Sequence, residues 1–466
     1  MNGCFLVLSN HRVGVVVTQK RWRGLLIMEA VTEVGVTTKS KTSKLQEAVL
    51  GLQHVLAMYS GGILVPLLIG TALHFSPQQM AYLISADIFM TGIGTLLQLK
   101  STRLTGIAMP VVLGSAIQSV TPLINIGSTL GIGAMYGATI SAGLFVFLIA
   151  GLFARLREYF PPVVTGSLIT VIGFALIPVG IQNLGGGDVA AKSFGSAANL
   201  SVGVFTMAVI ILVSLLAKGF TKAISILLGI ILGTMFAGLL GMVSLAPVTQ
   251  ASWFHLPTPF FLGTPTFHSS AIVTMIIIAL TSMIESTGVY FALADLTGRK
   301  LTNNDMAKGY RAEGLAVMLS GLFNTFPYST FSQNVGVVRL SGVKSKAPIY
   351  YAAGILLLIG LLPKFGALAT IIPTSVLGGA MVILFGTIGV QGTTILRKVD
   401  FAKERNLMIA AISIGAGIGV TVYPQIFQHL PELVRLVIEN AVVVTSVLAV
   451  FLNIVLPGRE KETGDE

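Results

Sequence analysis

Long uncharged apolar segments recur along most of the chain and are separated by short polar turns. Each is about 17 to 25 residues long, which is the length of a helix that crosses a lipid bilayer. The pattern predicts an all-α polytopic membrane protein with fourteen transmembrane segments. The first seven are predicted at residues 48–71, 80–99, 104–124, 131–153, 163–185, 200–217 and 223–243. The second seven are predicted at residues 270–294, 312–327, 328–343, 347–363, 367–391, 406–422 and 437–456.

The predicted segments form two sets of seven. A polar linker at 244–269, which we expect to be extracellular, separates a first repeat at 48–243 from a second at 270–456, with tails at 1–47 and 457–466. Because seven is an odd number, a second copy of the same unit would enter the membrane upside down. This arrangement is called an inverted repeat.

The fifth and twelfth segments share a Pro-x-x-Val-x-Gly spacing, at Pro161–Gly166 and Pro373–Gly378. Related repeats would explain the match. Two unrelated helices that each begin with proline and carry a small residue for close packing would explain it equally well.

The third segment of each half is interrupted by helix-breaking residues. These are Gly106, Pro110 and Gly114 in the first half, and Pro327, Gly336 and Gly342 in the second. Irregular backbone is tolerated at membrane depth only where protein or a cavity satisfies its polar groups. We therefore predict the substrate site between segments three and ten, although glycines that only allow helices to pack closely would give the same pattern.

The composition and charge agree with a membrane protein. Of 466 residues, 54% are hydrophobic and only 10% are charged, and the formal net charge is +11. Basic residues fall in alternate predicted loops, which by the positive-inside rule predicts a multi-pass protein of the cytoplasmic membrane with both termini in the cytoplasm. These residues are Lys100, Arg103, Arg155, Arg157, Lys218, Lys222, Arg299, Lys300, Lys308, Arg311, Lys344, Lys346, Arg397, Lys398, Lys403, Arg405, Arg459 and Lys461. No dense basic patch with interleaved aromatic residues is present, so nucleic acid is not an expected partner.

The N-terminal tail contains an apolar stretch that is broken by His11 and Arg12. It is too short to cross a bilayer, and no small-residue cleavage site marks it as a signal peptide. We predict a poorly ordered cytoplasmic tail, with translation starting at Met1 or Met28. Cys4 is the only cysteine, which excludes an internal disulfide and a thiolate metal site.

Glu285 is the strongest candidate for chemistry, because no other charge lies between Ala271 and Ala294. A carboxylate at the bilayer centre costs about 2.5 to 3.5 kcal/mol even on the insertion scale, so its presence needs a reason. A carboxyl group that exchanges a proton can couple proton entry to solute binding, and it can accept N–H groups of a planar ring. A structural hydrogen bond to a neighbouring helix is the alternative.

Five further polar residues are candidates for substrate binding or proton coupling. Gln333, Asn334 and Gln118 offer amide donors and acceptors that suit a neutral heterocycle, although Gln118 could equally join two helices. Glu313 could couple protons or form an ion pair with Arg311. His54 could relay protons or hold two helices together.

Asp87, in the second segment, is a further buried acid whose partner the sequence does not reveal. No cluster typical of a catalytic or metal site and no phosphate-binding glycine-rich loop is present in the sequence. We therefore expect no enzyme activity and no cofactor, with the proton as coupling ion.

Several strings resemble the nucleobase/ascorbate transporter family, and within it the bacterial xanthine permeases. They are QHVLAMY at 53–59, FPPVVTGS at 160–167, ESTGVYFAL at 285–293, KGYRAEGLAV at 308–317 and FPYSTFSQNVG at 326–336. The family motif continues through QNVGVVRLSG at 333–342, where Ser341 replaces threonine and keeps the hydroxyl group.

This resemblance implies proton-coupled uptake of xanthine by alternating access. It implies a core domain of segments 1–4 and 8–11, a gate domain of segments 5–7 and 12–14, and short strands in segments 3 and 10. Glu285 and Gln333 would hold the purine, Asn334 would support the pocket, His54 would orient the core, and Glu313 stands where the family usually has Asp. A homodimer through the gate domain is also implied.

Three alternatives stay open. Uracil permeases of the family differ at Gln333 and Val289, which favours a purine here, and uric acid is a close rival to xanthine. Anion exchangers of similar fold exist, but their site should present a cation rather than Glu285 among neutral amides.

Overall fold

The computed structural model describes residues 16–22, 25–31, 43–155, 160–431, 434–435 and 438–457. The chain divides into two units, Met1–Gln46 and Glu47–Glu466. In the first unit, strands β1 (Val16–Trp22) and β2 (Leu25–Val31) pair antiparallel. The prediction of a tail without regular structure is therefore wrong for these two strands. The rest of the N-terminal tail before residue 43 and the C-terminal tail beyond residue 457 lie outside the described residues.

The first half of the second unit is helical apart from one short strand. Its elements are α1 (Lys44–Gly62), α2 (Leu64–Ala72), α3 (Pro77–Leu99), β3 (Leu113–Ser115), α4 (Val120–Thr129), α5 (Ile132–Arg155), α6 (Pro162–Leu184), α7 (Ala197–Leu216), α8 (Gly219–Ala223) and α9 (Ser225–Leu239). The linker that follows contains the short helix α10 (Ala246–Gln250).

The second half is also helical apart from one short strand. Its elements are α11 (Ser269–Thr297), α12 (Asn303–Leu322), β4 (Tyr328–Thr330), α13 (Gln333–Ser341), α14 (Ala347–Gly360), α15 (Pro363–Thr370), α16 (Thr374–Leu396), α17 (Glu404–Val422) and α18 (Ala441–Val455).

Within the described residues, eight helical spans are long and apolar enough to cross a membrane. A ninth is counted if α14 and α15, which meet at an angle of 81°, form one span. Helices α9 and α18 are apolar but shorter. The fold is thus that of a multi-span membrane protein.

The starts of two predicted segments differ by several residues from the structure, and each difference has a local cause. The ninth segment was expected to begin at residue 312, but α12 begins at Asn303, because Thr302 and Asp305 form a capping box and Arg299 pairs with Asp305 at 2.7 Å. The twelfth was expected to begin at residue 367, but α15 ends at Thr370 and α16 starts only after Pro373, which lacks an N–H group and disfavours a helical residue before it.

Helices α6 and α16, which begin at the two Pro-x-x-Val-x-Gly motifs, pack against each other along their length and run antiparallel. Gly166 of one motif faces Leu396, at the end of α16, and Gly378 of the other faces Leu184, at the end of α6. A side chain at either glycine would collide with the opposite helix. Each motif therefore lies against the end of the opposite helix.

Two further helix pairs pack closely at a glycine. Helix α3 packs against α14, where Gly360 contacts Phe89, and α5 packs against α12, where Gly314 contacts Phe147. If the two halves are equivalent, segment 2 (α3) corresponds to segment 9 (α12), and segment 11 (α14) corresponds to segment 4 (α5). The contact of α3 with α14 then corresponds to the contact of α12 with α5. On the same assumption, the contact of α7 with α9 corresponds to that of α17 with α18.

Strands β3 and β4 cross at the centre of the helices as a two-stranded antiparallel ribbon. Leu113 pairs with Thr330 and Ser115 with Tyr328, and all residues of both strands are buried. The ribbon satisfies the backbone hydrogen bonds of the two interrupted segments inside the protein, as membrane depth requires. Because the strands are antiparallel, β3 leads into α4 at one end of the ribbon and β4 leads into α13 at the other.

Candidate functional site

A cavity of about 1290 Å³ lies between the ribbon, α11 and α13 on one side and α6 and α16 on the other. Gln118, Glu285 and Gln333 line it where α11 is at mid-length. It also reaches Arg155 and Lys398, which lie at or beyond helix ends. The cavity therefore leads from the middle of the helical layer to the face that carries the basic loops.

Glu285 and Gln118 form a direct contact within this cavity. The amide nitrogen of Gln118 donates to Oε2 of Glu285 at 3.0 Å and to the hydroxyl oxygen of Ser282 at 2.8 Å. Ser282 and Glu285 are three residues apart on α11 and so lie on the same helix face. The Oε1 atom of Glu285 has no hydrogen-bond partner among the described residues, so it remains available to a ligand.

Gln333 begins α13 immediately after the ribbon and lines the same cavity. Its side-chain carbonyl accepts a hydrogen bond from the Ser332 hydroxyl at 3.2 Å. Its amide nitrogen has no partner in the described part of the chain. One carboxylate oxygen and one amide group are therefore presented to the cavity from two different helices.

Asn334 and His54 lie behind the cavity rather than on its surface. Both are only 2% exposed and neither lines the cavity. In the described structure, both side-chain polar atoms of Asn334 lack a hydrogen-bond partner. The Nδ1 atom of His54 also lacks one. A buried polar atom without a hydrogen bond raises the free energy of the folded protein. A water molecule or a rearranged neighbour that bonded these atoms would therefore stabilise it.

Glu313 is buried in the middle of α12 and belongs to a separate network. The Tyr290 hydroxyl donates to its Oε1 at 2.8 Å, and the Gln98 amide donates to the Tyr290 oxygen at 2.8 Å. The Thr330 hydroxyl of the ribbon donates to the Ser286 hydroxyl at 2.9 Å, and Ser286 lies four residues before Tyr290 on α11. Among the described residues, no ion pair joins Glu313 to Arg311.

Asp87 finds the partners that the sequence could not name. The Ser115 hydroxyl donates to Oδ2 at 2.5 Å and the Tyr328 hydroxyl donates to Oδ1 at 3.0 Å. The Phe326 amide adds a longer bond to Oδ1 at 3.4 Å. Since Ser115 and Tyr328 are paired residues of β3 and β4, Asp87 ties one end of the ribbon to α3.

Several of these partners were not predicted as site residues: Gln98, Ser282, Ser286, Tyr290, Tyr328 and Thr330. Helical spacing offered a signal for some of them, because Ser286 and Tyr290 are four residues apart and so face the same neighbour. The ribbon residues had no such signal, because their contacts depend on strand pairing between the two halves.

No group of three or more His, Cys, Asp or Glu residues that could hold a metal ion occurs in the described structure.

Comparison with known proteins identifies the family. A family model described as "Permease family" matches residues 45–426. The xanthine permease of Bacillus subtilis is 50% identical over 406 residues, which cover 87% of this chain and 92% of that protein. The uric acid permease PucK of the same organism is 48% identical over 427 residues, or 92% and 99% of the two chains.

A solved structure shares the fold at lower sequence identity. The transmembrane domain of a cyanobacterium bicarbonate transporter, BicA, superimposes with a TM-score of 0.56 at 18% identity, over 88% of this chain and 97% of that one. The matched family and the two relatives are permeases and not enzymes, as the sequence predicts. The chain therefore belongs to the nucleobase/ascorbate transporter family of permeases, the family that its motifs resemble.

Proposed function

We propose that this protein takes up xanthine together with protons across the cytoplasmic membrane by alternating access. The observation that carries the proposal is the pairing of Glu285 with Gln118 on a cavity that Gln333 also lines. Xanthine is a flat ring whose N–H and carbonyl groups alternate along its edge. One carboxyl group and two amides offer matching acceptors and donors.

Proton coupling follows from the chemistry of Glu285. When protonated, its carboxyl group both donates to a ring carbonyl and accepts from a ring N–H, so it binds a neutral heterocycle on two points. When ionised, it only accepts. A difference in affinity between the two states couples proton and purine movement by mass action. Glu313, which accepts a hydrogen bond from Tyr290 on the same helix as Glu285, would support this exchange. Asn334 would support the pocket, and His54 would orient the core.

Uric acid is the second candidate. The 48% identity to a uric acid permease supports it, and so does the cationic character of the cavity mouth at Arg155, Arg339 and Lys398. Anion exchange is less favoured, because the deep part of the cavity presents a carboxyl group and neutral amides instead of a cation.

The proposed topology has fourteen segments in two inverted repeats, with the basic loops in the cytoplasm. Nine of these segments are the eight long apolar spans and the bent pair of α14 and α15. The other five are α9, α12, α18 and the two interrupted segments that contain β3 and β4. The matching helix pairs and the facing glycine motifs of α6 and α16 support the repeat. In this orientation the cavity opens inward, so the conformation is one that releases substrate.

A core of segments 1–4 and 8–11 would move against a gate of segments 5–7 and 12–14, and two gates would meet in a homodimer. Helices α7 and α17 support this role, because only 28% of an apolar 18-residue stretch in each helix is buried within the chain. The remaining apolar surface is available to lipid or to a second copy.

Transport into proteoliposomes tests the function. We expect labelled xanthine to accumulate against its gradient when the outside is made acidic, with a simultaneous rise in internal acidity reported by a trapped dye. Glu285→Gln should abolish accumulation, whereas Glu404→Gln, which changes an exposed acid at the start of α17, should not. Xanthine entry without any movement of protons would exclude symport.

A panel of unlabelled purines separates the two candidates. If xanthine is the substrate, it should compete with labelled xanthine at a lower concentration than uric acid does. The opposite order would make uric acid the physiological candidate, and equal inhibition by uracil would contradict the purine assignment.

A further inference from the structure

One wall of the cavity continues from Gln333 along α13 toward the basic face. Gln333, Gly336 and Arg339 of this helix all line the cavity. At 1.5 Å per residue, Arg339 lies about 9 Å farther along the helix axis than Gln333. A ligand that leaves Gln333 toward the basic face therefore passes Arg339.

The passage between these two positions is open on both sides. Gly288 follows Glu285 by three residues on α11, and Gly336 follows Gln333 by three residues on α13. A Cβ atom at either glycine would meet nothing within 4 Å. Bare backbone on two facing helices leaves room for a flat ring to slide past.

Positive charge dominates the cavity beyond the glycines. Arg155, Arg339 and Lys398 line it, and Asp295 is the acidic residue among the lining residues on this side. Arg339 is exposed and forms no ion pair among the described residues, unlike Arg299 with Asp305 or Arg435 with Glu439. Its guanidinium group is therefore free to bind an anion from the cavity.

We propose that Arg339 forms a second subsite on the route to the basic face, assisted by Arg155 and Lys398, which holds an oxidised purine in its anionic form. The inference rests on the proposed function and specifies the charge state of its substrate. An oxidised purine that has lost a ring N–H proton presents a negative nitrogen beside a carbonyl oxygen. A guanidinium group donates two parallel hydrogen bonds to such an edge, which an ammonium group does not.

The two subsites then prefer different forms of one ligand. The Glu285 carboxyl group binds the neutral ring and repels an anion, whereas Arg339 attracts the anion. A purine that is anionic in the cytoplasm is drawn away from Glu285, which favours release over rebinding at the deep site.

The experiment measures ligand binding to purified protein in discs of zwitterionic lipid. The probes are urate in neutral buffer, where the ring is anionic, and xanthine in mildly acidic buffer, where it is neutral. We expect Arg339→Gln to weaken urate binding about tenfold while xanthine binding changes less than about twofold. Arg339→Lys should recover only part of the loss. Lys344→Gln, which removes an exposed cation outside the cavity lining, should bind both probes like wild type.

Three outcomes would overturn the inference. Equal loss of both probes would make Arg339 a structural residue, and unchanged urate binding would remove it from the path. An effect that appears only after anionic lipid is added would assign Arg339 to a lipid headgroup. Binding of xanthine to the wild-type protein tests the proposed function separately. If the wild-type protein binds neither purine, both the proposed function and the subsite are wrong.

Discussion

At the scale of single residues, Glu285 combines a hydrogen-bond partner inside the protein with access to the cavity. Glu285 sits midway along an apolar helix, and the Gln118 amide satisfies one of its oxygens. The other oxygen faces the cavity. A charged or protonatable group is tolerated in the membrane where it lines a cavity and has a partner, and both conditions hold here.

The Gln118 contact leads to a prediction about affinity. Replacing Gln118 with Leu removes the donor to Glu285 and leaves Ser282 with one partner fewer, so the carboxyl group loses its fixed orientation. We expect xanthine affinity to fall about tenfold, since a hydrogen bond to a charged group contributes about 1.5 to 3 kcal/mol. Uptake kinetics in proteoliposomes would measure it. Gln182→Leu, whose amide bonds the Gly187 carbonyl away from the cavity, is the control and should transport normally.

The Asp87 contacts lead to a prediction about stability. Asp87→Asn replaces one acceptor oxygen by a donor that faces the hydroxyl of Ser115 or Tyr328, so we expect thermal unfolding in detergent at a lower temperature. The loss should be about 1 to 3 kcal/mol, as for an unsatisfied buried group. Ser115→Ala combined with Asp87→Asn should cost less than the two changes separately. Full additivity would mean that the Ser115 bond does not anchor the ribbon.

At the scale of elements, the antiparallel pair of α6 and α16 makes the most extensive contact among the described helices. Gly378 permits it, because a Cβ atom there would collide with the backbone of Leu184. Eight residues further along the same helix, Gly386 has nothing within 4 Å of its Cβ position. Gly378 is therefore needed for close helix packing, whereas Gly386 is not.

This difference predicts opposite effects of the same substitution. Gly378→Ala should lower the unfolding temperature and the yield of folded protein, because α6 must move away. Gly386→Ala should leave stability unchanged or raise it by up to about 1 kcal/mol, the helix-propensity difference between the two residues. Fluorescence-detected size exclusion after heating measures both. If both variants unfolded alike, close approach at Gly378 would not be limiting.

At the scale of the whole molecule, the linker between the two halves is attached to helices of the proposed core. The Phe260 amide donates to the Leu322 carbonyl at 3.0 Å, and the Thr266 amide donates to the Gly133 carbonyl at 2.9 Å. The Tyr82 hydroxyl exchanges hydrogen bonds with Thr258. The linker should therefore move with the core as one body.

Crosslinking tests this expectation in a background where Cys4 is replaced by Ser. A short bis-maleimide between cysteines at Tyr82 and Thr258 joins the linker to the core, and we expect transport to continue. A short bis-maleimide between cysteines at Asp295 and Lys398 joins the core to the gate across the cavity mouth, and we expect transport to stop. Activity that survives the second crosslink would argue against movement of core against gate.

The sequence by itself determined the class of protein, its family and the residues worth testing. Hydrophobic runs reveal membrane helices, because the cost of polar groups in lipid depends on local composition. The isolated charge of Glu285 and the interrupted segment at Gln333 could be found because a charge or a helix break is unusual within an apolar run. The sequence also showed the two motifs at Gly166 and Gly378, but it did not show that their helices are in contact.

Only the tertiary structure decided which of these residues meet. Gln118 contacts Glu285, Asp87 contacts Tyr328 and Glu313 contacts Tyr290, whereas Asn334 and His54 lie away from the cavity surface. The first two of these contacts join the two halves of the chain through the packing of interrupted segments. Such pairings depend on strand register and helix packing between distant parts of the sequence, on which local hydrophobicity and spacing carry no information.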